Sequence, residues 1–60
     1  MTDEQFHNLV LLALARVSAR TIAAATGASS TSVERWAAGK NLPHPAVRHR
    51  FADAIGVVIR

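Results

Sequence analysis

The chain has sixty residues, half of them apolar, three aromatic and none cysteine, so disulfides and thiolate metal sites are excluded. That length makes one domain near the lower limit for folding without staples. The net charge of +3 is unevenly placed: residues 1–15 carry Asp3 and Glu4 with no Lys or Arg, and residues 16–60 carry all seven basic residues against Glu34 and Asp53, a balance of +5; this asymmetry suits a polyanionic partner met on one face, and equally a merely solvated basic surface.

Thr2 with Gln5 three residues later forms a capping box. Asp3 and Glu4 favour the positive end of a helix dipole, so a first helix is predicted over 3–17. Phe6, Val10, Ala13 and Val17 share one face of it, flanked by Leu9 and Leu14. Leu11 and Leu12 point away, either as extra core under a neighbouring helix or as a surface for another chain. The apolar run from Leu9 to Ala15 is far short of the ~20 residues a membrane span needs. The segment before it is acidic where a signal peptide is basic, so a soluble, cytoplasmic protein is expected.

Ser18 is the cap candidate for a second helix over 19–26, in which Ile22 and Ala23 bury and Thr26 lies at the margin. Gly27 supplies the left-handed residue that ends it. Ser29 or Ser30 caps a third helix over 30–38, stopped by Gly39. Pro45 suits the first position of a fourth helix over 45–56, which buries Val47, Phe51, Ala54 and Ile55 and ends at Gly56. The tail VVIR is open between an edge strand, a packed extension and a frayed end. Strand signals are otherwise absent, and the predicted fold is all-α: a compact four-helix domain spanning 1–60 as one unit.

The third helix has an unusual make-up, with small hydroxyl residues at its front and a tryptophan before its glycine stop. Taking Ser30 as origin and ~100° per residue, Glu34 lies at ~40°, Ala38 at ~80°, Thr31 at ~100° and Arg35 at ~140°. Val33 and Trp36 lie on the other side, at ~300° and ~240°. The helix is therefore expected to seat itself through Val33 and Trp36 and to present Ser30, Thr31, Glu34, Arg35 and Ala38 outward. A stripe of short hydroxyls with one arginine is what a DNA major groove can accept, because Arg can donate to guanine in a bidentate manner.

The run ARTIAAATGASSTSVERW from Ala19 resembles the helix-turn-helix of small phage repressors and Cro-type regulators, the lambda-repressor-like or XRE group. The matching features are Ala23 four residues before Gly27, Val33 six after it, Trp36 three further on, and then Gly39-Lys40. Ala23 is small where the third helix crosses, Gly27 makes the turn, and Val33 with Trp36 locks the crossing. RHRFADAIGV is similar to the LAxALGV-type segment of that family, and the likeness spans roughly residues 5–57, with the helix-turn-helix unit at 19–38. The resemblance implies base contacts from Ser30, Thr31 and Arg35, with Glu34 beside them accepting from cytosine, orienting Arg35 or repelling phosphate. It implies phosphate contacts from Arg20, Lys40 and Asn41, joined by the hydroxyls of Ser29 and Ser32. Where relatives often carry a bracing glutamine at the start of the second helix, this chain has Ala19, so the brace is missing or Arg20 replaces it.

The expectation is a sequence-specific double-stranded DNA-binding regulator of phage or bacterial type, acting as a repressor. A homodimer on a pseudo-palindromic operator would pair through Leu11 and Leu12 or through Val57, Val58 and Ile59. Arg16, Arg48 and Arg50 read as solvated, and His7, His44 and His49 as surface residues without metal spacing, His44 a possible phosphate neighbour. No catalytic constellation, metal site or cofactor site is expected. The alternative from another class is a helix-turn-helix used as a protein-interaction module, antitoxin- or inhibitor-like.

Overall fold

The computed structural model describes residues 1–60. It contains four α-helices: α1 (Asp3–Leu14), α2 (Ala19–Thr26), α3 (Ser30–Ala37) and α4 (Arg48–Val58), with a single 3-10 turn, Pro45–Val47, leading into α4. No strand forms, and no helix is long and apolar enough to cross a membrane.

The helix starts follow from side chains that satisfy first-turn N–H groups. The Thr2 hydroxyl accepts from the Gln5 N–H at 3.1 Å, and Gln5 Oε1 accepts in return from the Thr2 N–H at 3.0 Å. Ser18 Oγ accepts from the Thr21 N–H at the start of α2. Before α4, His44 Nδ1 accepts the Ala46 N–H at 3.0 Å, so the proton of this ring sits on Nε2. Pro45 opens the 3-10 turn, where its missing N–H costs nothing.

Four boundaries differ from the sequence-based expectation: α3 stops one residue early, at Ala37, residues 45–47 form a 3-10 turn so that α4 begins at Arg48, and the ends of α1 and α4 both move. The first helix ends at Leu14 rather than at 17, because Ser18 must be extended (ψ 159°) to cap α2 and the chain has to leave the helix before it. With no glycine available for a left-handed exit, the carbonyl of Ala13 accepts both the Arg16 and the Val17 N–H, a tightened closing turn. Val17 still packs against the core. Gly56 does not end the last helix: α4 continues through it to Val58, and Ile59 caps it by donating its N–H to the Ile55 carbonyl. The reason is burial, since Ile59 packs against the core and its carbonyl accepts from Arg16 Nη1 at 3.0 Å. The tail is a packed extension.

The core is Phe6, Val10 and Ala13 from α1, Ile22 and Ala23 from α2, Val33 and Trp36 from α3, and Ile55 from α4. α2 packs on both α3 and α4, and α1 lies across α3 and α4. All three aromatic rings meet at one point. Trp36 is edge-on to Phe6 at a centroid distance of 5.4 Å and stacked on Phe51 at 5.3 Å.

Arg48, expected to be solvated, is buried at 5% exposure. Its Nε donates to the Pro43 carbonyl at 2.8 Å, and its Nη1 donates to the Met1 carbonyl at 3.2 Å and pairs with Asp3 Oδ1 at 2.7 Å. One guanidinium thus ties the entry of α1 and the loop before α4 to the first residue of α4. No buried side-chain nitrogen or oxygen is left without a partner.

Two glycines give opposite predictions although a Cβ would meet nothing within 4 Å at either. Gly56 is helical, so Gly56→Ala is expected to raise stability by about 0.5–1 kcal/mol. Gly27 sits at φ 78°, so Gly27→Ala is expected to cost about 1 kcal/mol or more. Urea unfolding of the two variants checks the contrast, and equal effects would contradict it. Arg48→Met, which orphans two carbonyls, is expected to cost about 2 kcal/mol. Asp3→Asn is expected to cost under about 1 kcal/mol, because Asp3 is 79% exposed; thermal melts of both variants compare them.

Candidate nucleic-acid interface

α3 is held by both ends and along one edge. At its start Ser29 Oγ accepts from the Ser32 N–H at 3.0 Å and donates its own proton to Ser32 Oγ, also at 3.0 Å. Of the two cap candidates, Ser29 therefore serves, and its hydroxyl proton is already engaged within the chain. Ser30 is the first helical residue, half-buried, and Thr31 beside it is exposed.

At its end α3 closes in a full Schellman turn: Lys40 N–H donates to the Arg35 carbonyl at 2.8 Å and Gly39 N–H to the Trp36 carbonyl at 3.0 Å, with Gly39 at φ 76°. This turn pins the Lys40 backbone to the backbone of Arg35, so two cations leave the chain from neighbouring points. Both complement the negative end of the α3 dipole, which is a structural use for them as well.

Along the inner edge Val33 is fully buried and Trp36 is 5% exposed. Trp36 Nε1 donates to the Asn41 carbonyl at 3.1 Å, and Asn41 adopts φ 52° to present it. The backbone of Asn41 is thus committed to Trp36, and its side chain stays exposed. From α1, His7 Nδ1 lies 2.8 Å from the Trp36 carbonyl. A carbonyl only accepts, so His7 carries its proton on Nδ1. His7 was expected at the surface. It is half-buried and ties α1 to the C-terminal end of α3. Its place one residue after the core Phe6, at the edge of the buried face of α1, is the signal that could have found it.

The outer edge of α3 is open. Thr31, Glu34, Arg35 and Ala38 are exposed, and Ser32, on the flank, is half-buried. The one ion pair of the chain joins Arg48 to Asp3, so Arg35 pairs with neither Glu34 nor Asp53. Arg20 is exposed in the first turn of α2, which packs against α3, and Ala19 beside it packs against the core. Lys40 is exposed beyond the other end.

The acidic residues Asp3 and Glu4 line a shallow open cleft with His7, Gly39 and Leu42. No three His, Asp or Glu side chains come together as a metal site. Among the residues expected to pair two copies, Leu11, Leu12 and Val57 are 45%, 52% and 66% exposed, whereas Val58 is half-buried and Ile59 packs on its own core. Ile59 therefore leaves that set: its apolar surface already has a partner in the chain.

Ser29→Ala removes the α3 cap and is expected to cost about 1 kcal/mol of stability, read from the midpoint of urea unfolding. An unchanged midpoint would mean that solvent replaces the cap at no cost.

No protein-family model, curated protein or solved structure significantly matches the chain, so the residues of α3 and its flanks are what speak for its function.

Proposed function

We propose that this chain is a sequence-specific double-stranded DNA-binding protein of the lambda-repressor-like helix-turn-helix kind, a small phage or bacterial transcriptional regulator that represses by occupying a polymerase site. The observation that carries the reading is the division of α3: Val33 and Trp36 are sealed inside, and the edge bearing Thr31, Glu34 and Arg35 is left bare.

In this reading Arg35 donates to a guanine edge, free to do so because no carboxylate of its own chain holds it. Ser30 and Thr31 stand at the front of the helix, where short side chains let the backbone come close to the groove. Glu34 accepts from a cytosine amino group or keeps wrong sequences out. Lys40, Asn41 and Arg20 bracket the helix and contact phosphates, which set register without reading sequence. Ser32 joins them as a hydroxyl donor. Ser29 joins them only by giving up its bond to Ser32. A protein of this kind works in the cytoplasm, on the nucleoid.

The test is selection from a random duplex pool, followed by binding titrations at two salt concentrations. Arg35→Ala is expected to lose about 1–3 kcal/mol on the selected sequence, with relaxed preference at one base pair and little loss on scrambled DNA. Lys40→Ala is expected to weaken binding to both alike and to lower the salt slope by about 0.9. Equal losses of Arg35→Ala on both duplexes would remove its base-reading role. A pool from which nothing is retained, even at low salt, would reject the DNA reading in favour of a protein-interaction module.

A further inference from the structure

The outer faces of the four helices differ in chemistry. On α4 the exposed residues are His49, Arg50, Asp53 and Val57, followed by Arg60, so Val57 is a lone apolar side chain in a charged surface. α3 offers the polar stripe described above, and α2 exposes Arg20, Thr21 and Ala24. Only α1 turns a contiguous apolar strip outward. Leu11, Leu12 and Ala15 lie with Asn8 and Glu4 within about 100° of arc, and all five are exposed. The two leucines, 45% and 52% exposed, are neighbours in sequence and pack on nothing in the core.

The charges around this strip are arranged end to end. α1 has acidic residues in its first turn and no basic residue in its last. Asp3 is engaged by Arg48, leaving Glu4 as the free carboxylate at the acidic end. Arg16 stands just past the other end, held at the surface by its bond to the Ile59 carbonyl and paired with no carboxylate. A surface that is acidic at one end, apolar in the middle and basic at the other is complementary to itself when turned through a two-fold axis.

We propose that the outward face of α1 is the docking surface for a second copy of this chain, the two α1 helices crossing antiparallel about a two-fold axis near Leu11 and Leu12. Leucine then meets leucine at the centre, Glu4 of each copy lies toward Arg16 of the other, and the two helix dipoles run antiparallel, each N-terminus beside the other's C-terminus. The strip belongs to a single short helix, well below the area of a standard stable interface, so the dimer is weak and concentration-dependent. Pairing through α1 needs no DNA. Only its consequence, two α3 helices on one duplex, rests on the function proposed above.

Sedimentation equilibrium of the protein alone, across micromolar to millimolar concentrations, tests this directly. The wild-type chain is expected to dimerise, and Leu11→Glu and Leu12→Glu each to raise the dissociation constant at least tenfold, with Val57→Glu leaving it unchanged. Glu4→Arg and Arg16→Glu are each expected to weaken the dimer, and the double variant to restore it. Circular dichroism melts establish that every variant is folded. A wild-type chain that stays monomeric at millimolar concentration overturns the proposal, even if α1 binds another protein. So does a dimer abolished by Val57→Glu but not by Leu12→Glu, or a double swap no better than its singles. Binding to a single half-site is a separate reading: retained in Leu12→Glu, it leaves the DNA function standing whichever way sedimentation falls.

Discussion

Trp36 is the constraint on which the rest of this structure depends. Its ring lies between Phe6 of α1 and Phe51 of α4, its Nε1 donates to the loop after α3, and its carbonyl accepts both Gly39 N–H and His7 Nδ1–H. A helix of eight residues has little intrinsic stability, and its position comes from tertiary packing. With so many directed contacts converging on one side chain and its backbone, α3 can neither rotate nor slide without breaking several at once. Val33 adds a second fixed point one turn earlier. The outward direction of Thr31, Glu34 and Arg35 is the geometric remainder of that seating.

The capping chemistry at the two ends of α3 adds to this control. Ser29 sets the first turn, and the Schellman turn at Gly39 sets the last and fastens Lys40 to Arg35 through the backbone. Two cations thereby leave the chain from neighbouring backbone points, and neither is paired with a carboxylate. In water this is a small penalty, softened by the helix dipole. Facing a phosphate backbone the same arrangement becomes favourable, because each cation that neutralises a phosphate releases a counterion. Of the acidic residues of α1, Asp3 is drawn to Arg48, and the shallow cleft that Asp3 and Glu4 line reaches Gly39 at the end of α3.

Much of this could be read from local sequence, and the exceptions share a cause. Thr2, Ser18, Gly27 and Gly39 announce helix ends because their chemistry acts on the neighbouring three or four residues, and all four serve as expected. The register of Val33 and Trp36 against Glu34 and Arg35 is likewise local, and with it the bare edge of α3. Arg48 was not legible, because its burial is decided by where the Met1 and Pro43 carbonyls arrive in space, the first of them 47 residues away in the chain. His7 is similar: its partner is the carbonyl of Trp36, 29 residues on. The continuation of α4 past Gly56 did leave a trace, since Ile59 follows Ile55 by four and Phe51 by eight. Glycine at that point outweighed a periodicity that the packed core obeys.

The central claim is that the edge of α3 opposite Trp36 is the surface that meets DNA. It is tested most directly by following backbone amide and arginine side-chain resonances while a duplex recovered from random-pool selection is titrated in. The account predicts that shifts concentrate at Ser30, Thr31, Glu34, Arg35 and Lys40, with the Trp36 indole resonance in place. Shifts gathered on α1 or α4 with α3 unmoved, or a displaced Trp36 indole, would contradict it.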